Sequence, residues 1–261
     1  MGGCKMKIQF IVVGWYYNQD SLQNGLKELI KNNDNIDVFY SCHKEPTKFV
    51  KDNFNYKLFP NLGEEIIAYQ QALDHLGLDD DTYYFFMNDD IVVKDWAFIN
   101  KCIEKLRQGF KLVGNGFDCY FKAYNPLVTI PIGITEEFDG KQSIDYVKEE
   151  NKHFFTGPAE MNMARGSFLS IHSDTLKAMG EFEPIKEAWV PIHVNKNGNP
   201  YYRGREKEAN TKLGGMSSFG NLFPCLTVYK INKLYGKESV TWLSKNYRNS
   251  EYLYELERGI D

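Results

Sequence analysis

The sequence lacks the cysteine patterns that mark disulfide-rich and zinc-binding proteins. Its cysteines are odd in number and widely spaced, and no two form a Cys-x-x-Cys pair; they are Cys4, Cys42, Cys102, Cys119 and Cys225. A disulfide framework or a structural zinc site needs paired, regularly spaced ligands. We therefore predict reduced thiols and a cytoplasmic location.

Long hydrophobic runs and an excess of basic residues are also missing. A membrane-spanning helix needs about 20 consecutive apolar residues, and no run approaches that length; the segment 8–15 is too short. We recognise no signal peptide and predict no transmembrane segment, leaving peripheral attachment to a membrane open. The net charge of −4 argues against a general nucleic-acid-binding protein.

The first hundred residues instead alternate between strand and helix patterns. Apolar and β-branched runs predict buried strands at 7–13, 36–40, 56–59, 82–87 and 111–113. Amphipathic spacing predicts helices at 22–30, 64–76 and 96–108. This alternation predicts an α/β fold with a mainly parallel central sheet flanked by helices.

The second half of the sequence is less regular. We predict an irregular segment at 114–160, a strand at 168–171, a helix at 173–179 stopped by Gly180, and a mobile loop at 189–220. A helical extension is predicted over 226–235 and 238–257. We accordingly divide the chain into a core at 1–180 and a following part at 181–261, within one continuous domain.

The tripeptide Asn88-Asp89-Asp90 follows directly on the predicted strand at 82–87. Ligands of parallel α/β sheets bind at the carboxyl ends of strands. Carboxylates there suit a hard divalent cation, which can bridge two phosphates and neutralise a diphosphate leaving group. The alternative is a solvated acidic turn, and we interpret the equally acidic Asp79-Asp80-Asp81 as a helix-terminating loop.

Three segments resemble the GT-A glycosyltransferases, especially their large inverting family. They are the Asn61-Leu62-Gly63 turn with its following helix, the strand ending in Asn88-Asp89-Asp90 where the family has a DXD-type motif, and Gly166-Ser167-Phe168 followed by Met179-Gly180-Glu181-Phe182-Glu183. The resemblance implies a GT-A-like (Rossmann-like) fold. It also implies a metal-assisted hexosyl- or pentosyltransferase in polysaccharide or glycoconjugate synthesis. The donor would be a nucleotide-diphosphate sugar, the acceptor a glycan or glycoconjugate hydroxyl, and the cofactor Mn²⁺ or Mg²⁺.

The resemblance also implies roles for individual residues. Asp90 and its neighbour Asp89 would bind the metal. A late histidine, His193, either completes the metal site or is a structural histidine between apolar residues. The nucleotide sugar would be held by Tyr16, Tyr17, Asn18, His43, Asn61, Gly63, Asn88 and Asp89. Asn88 replaces the first acid of the motif, so it would bond a ribose or a metal-bound water. A tyrosine of the loop after the first strand either stacks on the base or packs at the strand end.

The catalytic base is not fixed by the resemblance. The inverting family has a late acidic pair, and the comparable region at 214–221 has no carboxylate. An inverting transfer needs a base near the acceptor hydroxyl, and Asp118 and Glu160 are the candidates, each with the alternative of a surface acid. Weaker base candidates are Glu183 and Glu206. In the predicted mobile loop at 189–220, Arg203, Arg205 and Lys207 either clamp the diphosphate or belong to a solvated loop.

Two other functions remain open. A sugar nucleotidyltransferase would carry a glycine-rich basic loop after the first strand, and the segment 14–18 has one glycine and no basic residue. A non-catalytic carbohydrate-binding or assembly protein on the same fold is consistent with the missing late acid and with Asn88.

Overall fold

The computed structural model describes residues 6–60, 65–123, 149–150, 159–182, 193–194, 200–201, 222–244 and 250–256. Its strands are β1 (Lys7–Gly14), β2 (Ile36–Cys42), β3 (Asn55–Leu58), β4 (Thr82–Asn88), β5 (Ile91–Val93), β6 (Leu112–Ala123), β7 (Ala159–His172), β8 (His193–Val194), β9 (Pro200–Tyr201), β10 (Val240–Trp242) and β11 (Leu253–Glu255). Its helices are α1 (Asp20–Asn32), α2 (Lys48–Asn53), α3 (Glu65–Leu76), α4 (Phe98–Arg107), α5 (Ser173–Met179) and α6 (Leu222–Tyr235), with a 3₁₀ turn at Lys237–Ser239.

Among the described residues, seven strands form one sheet in the order β10-β6-β7-β4-β1-β2-β3. Strand β1 lies between β4 and β2 and is parallel to both. Strand β7 runs antiparallel to its neighbours β4 and β6. The predicted mainly parallel sheet flanked by helices is therefore confirmed, and the architecture is compatible with a Rossmann-like fold.

Helices α1 and α4 cover one face of the sheet. Their apolar sides pack on the side chains that β1 and β4 direct to this face, including Phe10, Val12, Phe85 and Met87. Strand β1 is buried along most of its length. A strand covered on both faces reads as a nearly continuous apolar run, which explains why it was predictable.

Helices α3, α5 and α6 belong to the opposite face. Here Tyr69 of α3 and Phe182 pack against Phe86 of β4, and all three side chains are fully buried. The turn after α5 is anchored twice. The Phe182 N–H donates to Oε1 of Gln70 (2.7 Å), and Nζ of the buried Lys230 donates to the carbonyl oxygen of Glu181 (2.6 Å). No described helix is both long enough and apolar enough to cross a membrane.

Two predictions for the second half of the chain are wrong. The segment 114–160 is not irregular throughout, because β6 continues to Ala123 and β7 already begins at Ala159. The segment 238–257 is not a helix, because it contains β10, parallel to β6, and β11, antiparallel to β5. The predicted helical extension is therefore reduced to α6, which begins at Leu222. Helix α5 was predicted with its observed bounds, and Gly180 ends it at a φ of +69°.

Candidate functional site

The site lies at the carboxyl ends of β1 and β4. From β1 the chain passes to β2 on one side, and β4 later pairs with the other side of β1. The strand order thus reverses between β1 and β4. In open α/β sheets, the crevice outside the strand ends at such a reversal is the usual ligand-binding position. The motif Asn88-Asp89-Asp90 begins with the last residue of β4 and lies at this crevice.

Asp89 is fixed to the loop that follows β1. Its Oδ2 accepts hydrogen bonds from three consecutive backbone N–H groups, those of Trp15 (2.8 Å), Tyr16 (2.6 Å) and Tyr17 (2.7 Å). The Asp89 N–H donates to the carbonyl oxygen of Val13 at 3.1 Å. Successive N–H groups that converge on one oxygen form an anion-binding concavity. In this molecule the concavity holds a carboxylate of the protein itself.

The surroundings of Asp89, taken together, disfavour its ionised form. The side chain is 1% exposed, and burial raises the pKa of Asp89 from 3.8 to about 6. The three N–H bonds act in the opposite direction because they favour the carboxylate, while the nearby charge of Asp90 again raises the pKa. Asp89 therefore titrates above the ordinary range of an aspartate.

Tyr17 is locked into the protein and is not a free ring at the loop surface. Its hydroxyl donates to the carbonyl oxygen of Lys44 (2.8 Å) and lies 3.1 Å from that of Gly14. Its ring covers Gly14 so closely that a Cβ there would come within 2.6 Å of the ring. A tyrosine of this loop was expected either to stack on the base or to pack at the strand end, and Tyr17 packs at the strand end. Its φ of +53° is unusual for a residue other than glycine.

Asp90 is buried at the start of the connection to β5. Its side chain is 1% exposed, and its carbonyl oxygen accepts from the Leu256 N–H at 3.4 Å. Strand β5 begins directly after the motif, and β11 pairs with it. The Lys94 and Asp95 N–H groups both donate to the Tyr252 carbonyl oxygen (2.7 and 3.1 Å). The segment 250–256 therefore fixes the backbone on the far side of Asp90.

Asn88 is linked to the opposite face of the sheet. The Tyr69 hydroxyl lies 3.3 Å from Oδ1 of Asn88 and 2.9 Å from the carbonyl oxygen of Gly166. It thereby connects α3, the end of β4 and β7. Sequence reasoning did not select Tyr69, although a tyrosine on the buried side of an amphipathic helix needs a partner for its hydroxyl.

His43 follows β2 at the same end of the sheet. Its N–H donates to the carbonyl oxygen of Gly14 at 3.0 Å, and its ring lies beside that of Phe59. Burial lowers the pKa of His43, because it disfavours the charged ring. The preceding Cys42 is buried, and its pKa is raised to about 11, chiefly by burial, so the thiol stays protonated at neutral pH.

Only some of the remaining predicted site residues lie within the described part of the chain. Tyr16 and the exposed Asn18 lie in the β1–α1 loop, residues 15–19. His193 lies in β8, which pairs antiparallel with β9. Other predicted positions lie outside the described residues; they are Asn61, Gly63, Glu183, Arg203, Arg205, Glu206 and Lys207. Within the described part of the chain, no three His, Cys, Asp or Glu side chains are grouped to hold a metal ion.

Both predicted base candidates lie within strands. Asp118 is within β6 and Glu160 within β7, where Glu160 pairs with Lys122. The last pair between β4 and β7 is Met87 with Phe168. Residues 159–167 of β7 and their partners in β6 therefore continue past the carboxyl end of β4. The backbones of both candidates lie on this ribbon, at the same end of the sheet as Asn88.

The second acidic tripeptide lies at the opposite end of β4. Asp79, Asp80 and Asp81 follow α3 in a turn, as predicted, and face Lys7, Lys177 and His172, respectively. Each of the three aspartates is more than half exposed. Ion pairs of this kind contribute little stability. Similar composition thus leads to a solvated turn at one end of β4 and a buried pair at the other.

Comparison with protein-family models gives no match, and no curated protein sequence matches the chain.

Proposed function

We propose that this protein is a metal-assisted glycosyltransferase of the GT-A type. It would transfer a sugar from a nucleotide-diphosphate sugar to an acceptor hydroxyl. The observation that carries the proposal is the buried pair Asp89-Asp90 at the reversal of strand order between β1 and β4. Buried carboxylates are uncommon outside binding and catalytic sites, and this position is where open α/β sheets bind ligands.

The donor set fits a hard divalent cation that is shared with a substrate. Mg²⁺ usually keeps several waters and binds through one or two carboxylates together with substrate phosphates. Asp90 would supply one carboxylate, with Asp89 beside it in the sequence. When bound, such an ion neutralises the charge that develops on a leaving diphosphate. His193 remains a further candidate ligand.

The residues of the chain would divide the remaining tasks. The β1–α1 loop and His43 border the crevice and would receive the nucleoside. Asp118 and Glu160 lie on the ribbon that extends past β4, at the same end of the sheet as Asn88-Asp89-Asp90. One of them would accept the proton of the acceptor hydroxyl as the new glycosidic bond forms.

The proposal is tested by nucleotide binding. Thermal unfolding of the wild type should shift upward with uridine or guanosine diphosphate plus Mn²⁺, because a ligand at 100 times its dissociation constant stabilises the fold by about 2.7 kcal/mol. The shift should require the metal. It should be lost in Asp90→Asn, which keeps the side-chain shape and removes the charge.

A matched control lies in the turn that precedes the same strand. Asp81→Asn makes the same chemical change in an exposed turn with a φ of +46°, a conformation that asparagine tolerates. This variant should keep the wild-type shift. Absence of any metal-dependent shift in the wild type, or an unchanged shift in Asp90→Asn, would contradict the proposed function.

A further inference from the structure

We infer that Asp89 is a positioning residue that folds the β1–α1 loop over the crevice by accepting three backbone hydrogen bonds. The nucleotide and metal chemistry is thereby left to Asp90. The role of Asp90 rests on the proposed function, whereas the ordering of the loop by Asp89 does not. Two adjacent carboxylates of one motif would then have separate tasks.

The first argument is the coordination of Oδ2. Three N–H groups within 2.8 Å approach this single oxygen. A carboxylate oxygen offers about two lone-pair sites, so Oδ2 has no remaining capacity for a cation. An approaching Mn²⁺ would also be repelled by the positive ends of the same three N–H dipoles.

The second argument is the conformation of the loop. Tyr17 has a left-handed backbone at φ +53°, which costs energy for a residue with a Cβ. Such a conformation persists only where its surroundings hold it. Two contacts do so here, the Tyr17 N–H to Asp89 and the Tyr17 hydroxyl to Lys44. Without the acceptor at position 89, three converging N–H groups would have to find other partners.

The third argument is the path of the chain. The Asp89 N–H is bonded to Val13 of β1, so the residue is held to β1 by its backbone and to the following loop by its side chain. Asp90 is instead connected through its carbonyl oxygen to Leu256, on the β5 side. The two carboxylates therefore belong to different supports, although they are adjacent in sequence.

The inference predicts that position 89 needs an acceptor more than it needs a charge. Amide hydrogen exchange of Trp15, Tyr16 and Tyr17 should be measured by NMR in ligand-free protein. In Asp89→Ala these amides should exchange about tenfold faster or more, because their hydrogen bonds are lost. In Asp89→Asn, whose amide oxygen still accepts, protection should be restored. The β1 amides serve as the internal reference.

A second readout separates the two carboxylates. The affinity for uridine or guanosine diphosphate is measured with and without Mn²⁺ in Asp89→Asn and Asp90→Asn. The metal dependence should fall further in Asp90→Asn, and loop protection should persist in that variant. Asp81→Ala, on the opposite end of β4, should leave the loop protected.

The inference is overturned if the loop amides exchange at the wild-type rate in Asp89→Ala. It is also overturned if Asp89→Asn loses as much protection as Asp89→Ala. A third contrary result is a protected loop in Asp89→Asn together with complete loss of the metal dependence of nucleotide binding. The last result would make Asp89 a ligand. If the wild type binds no nucleotide diphosphate, the proposed function fails, and the exchange data still decide whether Asp89 orders the loop.

Discussion

Asp89 makes the stability of the protein depend on pH in a direction opposite to that of most aspartates. In the folded protein the Asp89 carboxyl group keeps its proton up to a pH of about 6, whereas in the unfolded chain it loses the proton near pH 3.8. Because the folded state binds more protons between these values, this contribution is complete below pH 3.8 and is lost as the pH rises through 6.

A comparison of the wild type with Asp89→Asn should reveal this effect. Two pKa units correspond to about 3 kcal/mol, so the variant should gain roughly that much stability relative to the wild type between pH 4 and pH 7. Urea unfolding at four pH values gives the two curves. Curves that stay parallel would show that Asp89 titrates normally.

Gly25 is a second residue whose substitution has a predictable sign. It lies in the middle of α1, where alanine normally stabilises by about 1 kcal/mol. A Cβ at this position, however, would come within 2.1 Å of the Trp96 ring. Gly25→Ala should therefore destabilise by about 1–3 kcal/mol, the usual cost of overpacking.

Denaturant unfolding measures this change, and the neighbouring Asn24→Ala is the control. Asn24 is exposed on the same helix, so alanine there should be neutral or slightly stabilising. The double variant Gly25→Ala/Trp96→Leu should lose less stability than the sum of its two single changes. A stabilising Gly25→Ala would mean that the ring moves aside freely.

At the scale of elements, the strap formed by residues 250–256 joins the site to a distant part of the chain. Leu253 is fully buried in the core that β1, β4 and α4 share. Burial of one leucine is worth about 2 kcal/mol, and the strap adds the ladder with β5.

A chain that ends after Ser244 should therefore be less stable by about 2–3 kcal/mol. Its amides at Lys94 and Asp95 should lose protection against hydrogen exchange, because both donate to Tyr252. A chain that ends after Leu256 keeps the strap and serves as the control. Equal protection in the two chains would show that β5 holds its position alone.

The elements differ in how far sequence predicted them. Strands β1 and β4 are buried on both faces, so their apolar runs were sufficient. Helix α2 was missed because it has one buried residue, Val50, and depends on capping by Thr47. Strand β11 has only three residues, and its pairing partner lies far away in sequence. The pairing partner defines a strand this short, and the local sequence pattern does not reveal it.

At the scale of the whole molecule, the sheet order decides what the motif means. The sequence predicted a carboxylate pair at a strand end, which the structure bears out. The three N–H bonds to Asp89 and the pairing of β11 with β5 join segments that are far apart in sequence and adjacent only in the fold. The same holds for the positions of Asp118 and Glu160, which lie on the ribbon past β4.

The strap also has a consequence for how the protein is made. Lys94 and its partner Ser250 are 156 positions apart, and synthesis proceeds from the amino terminus at about 5–20 residues per second. The ribosome thus finishes Asn88-Asp89-Asp90 and β5 about 8–30 seconds before β11 exists. During this interval β5 lacks its pairing partner, so the nascent chain passes through a stage in which the motif is present but the strap is not.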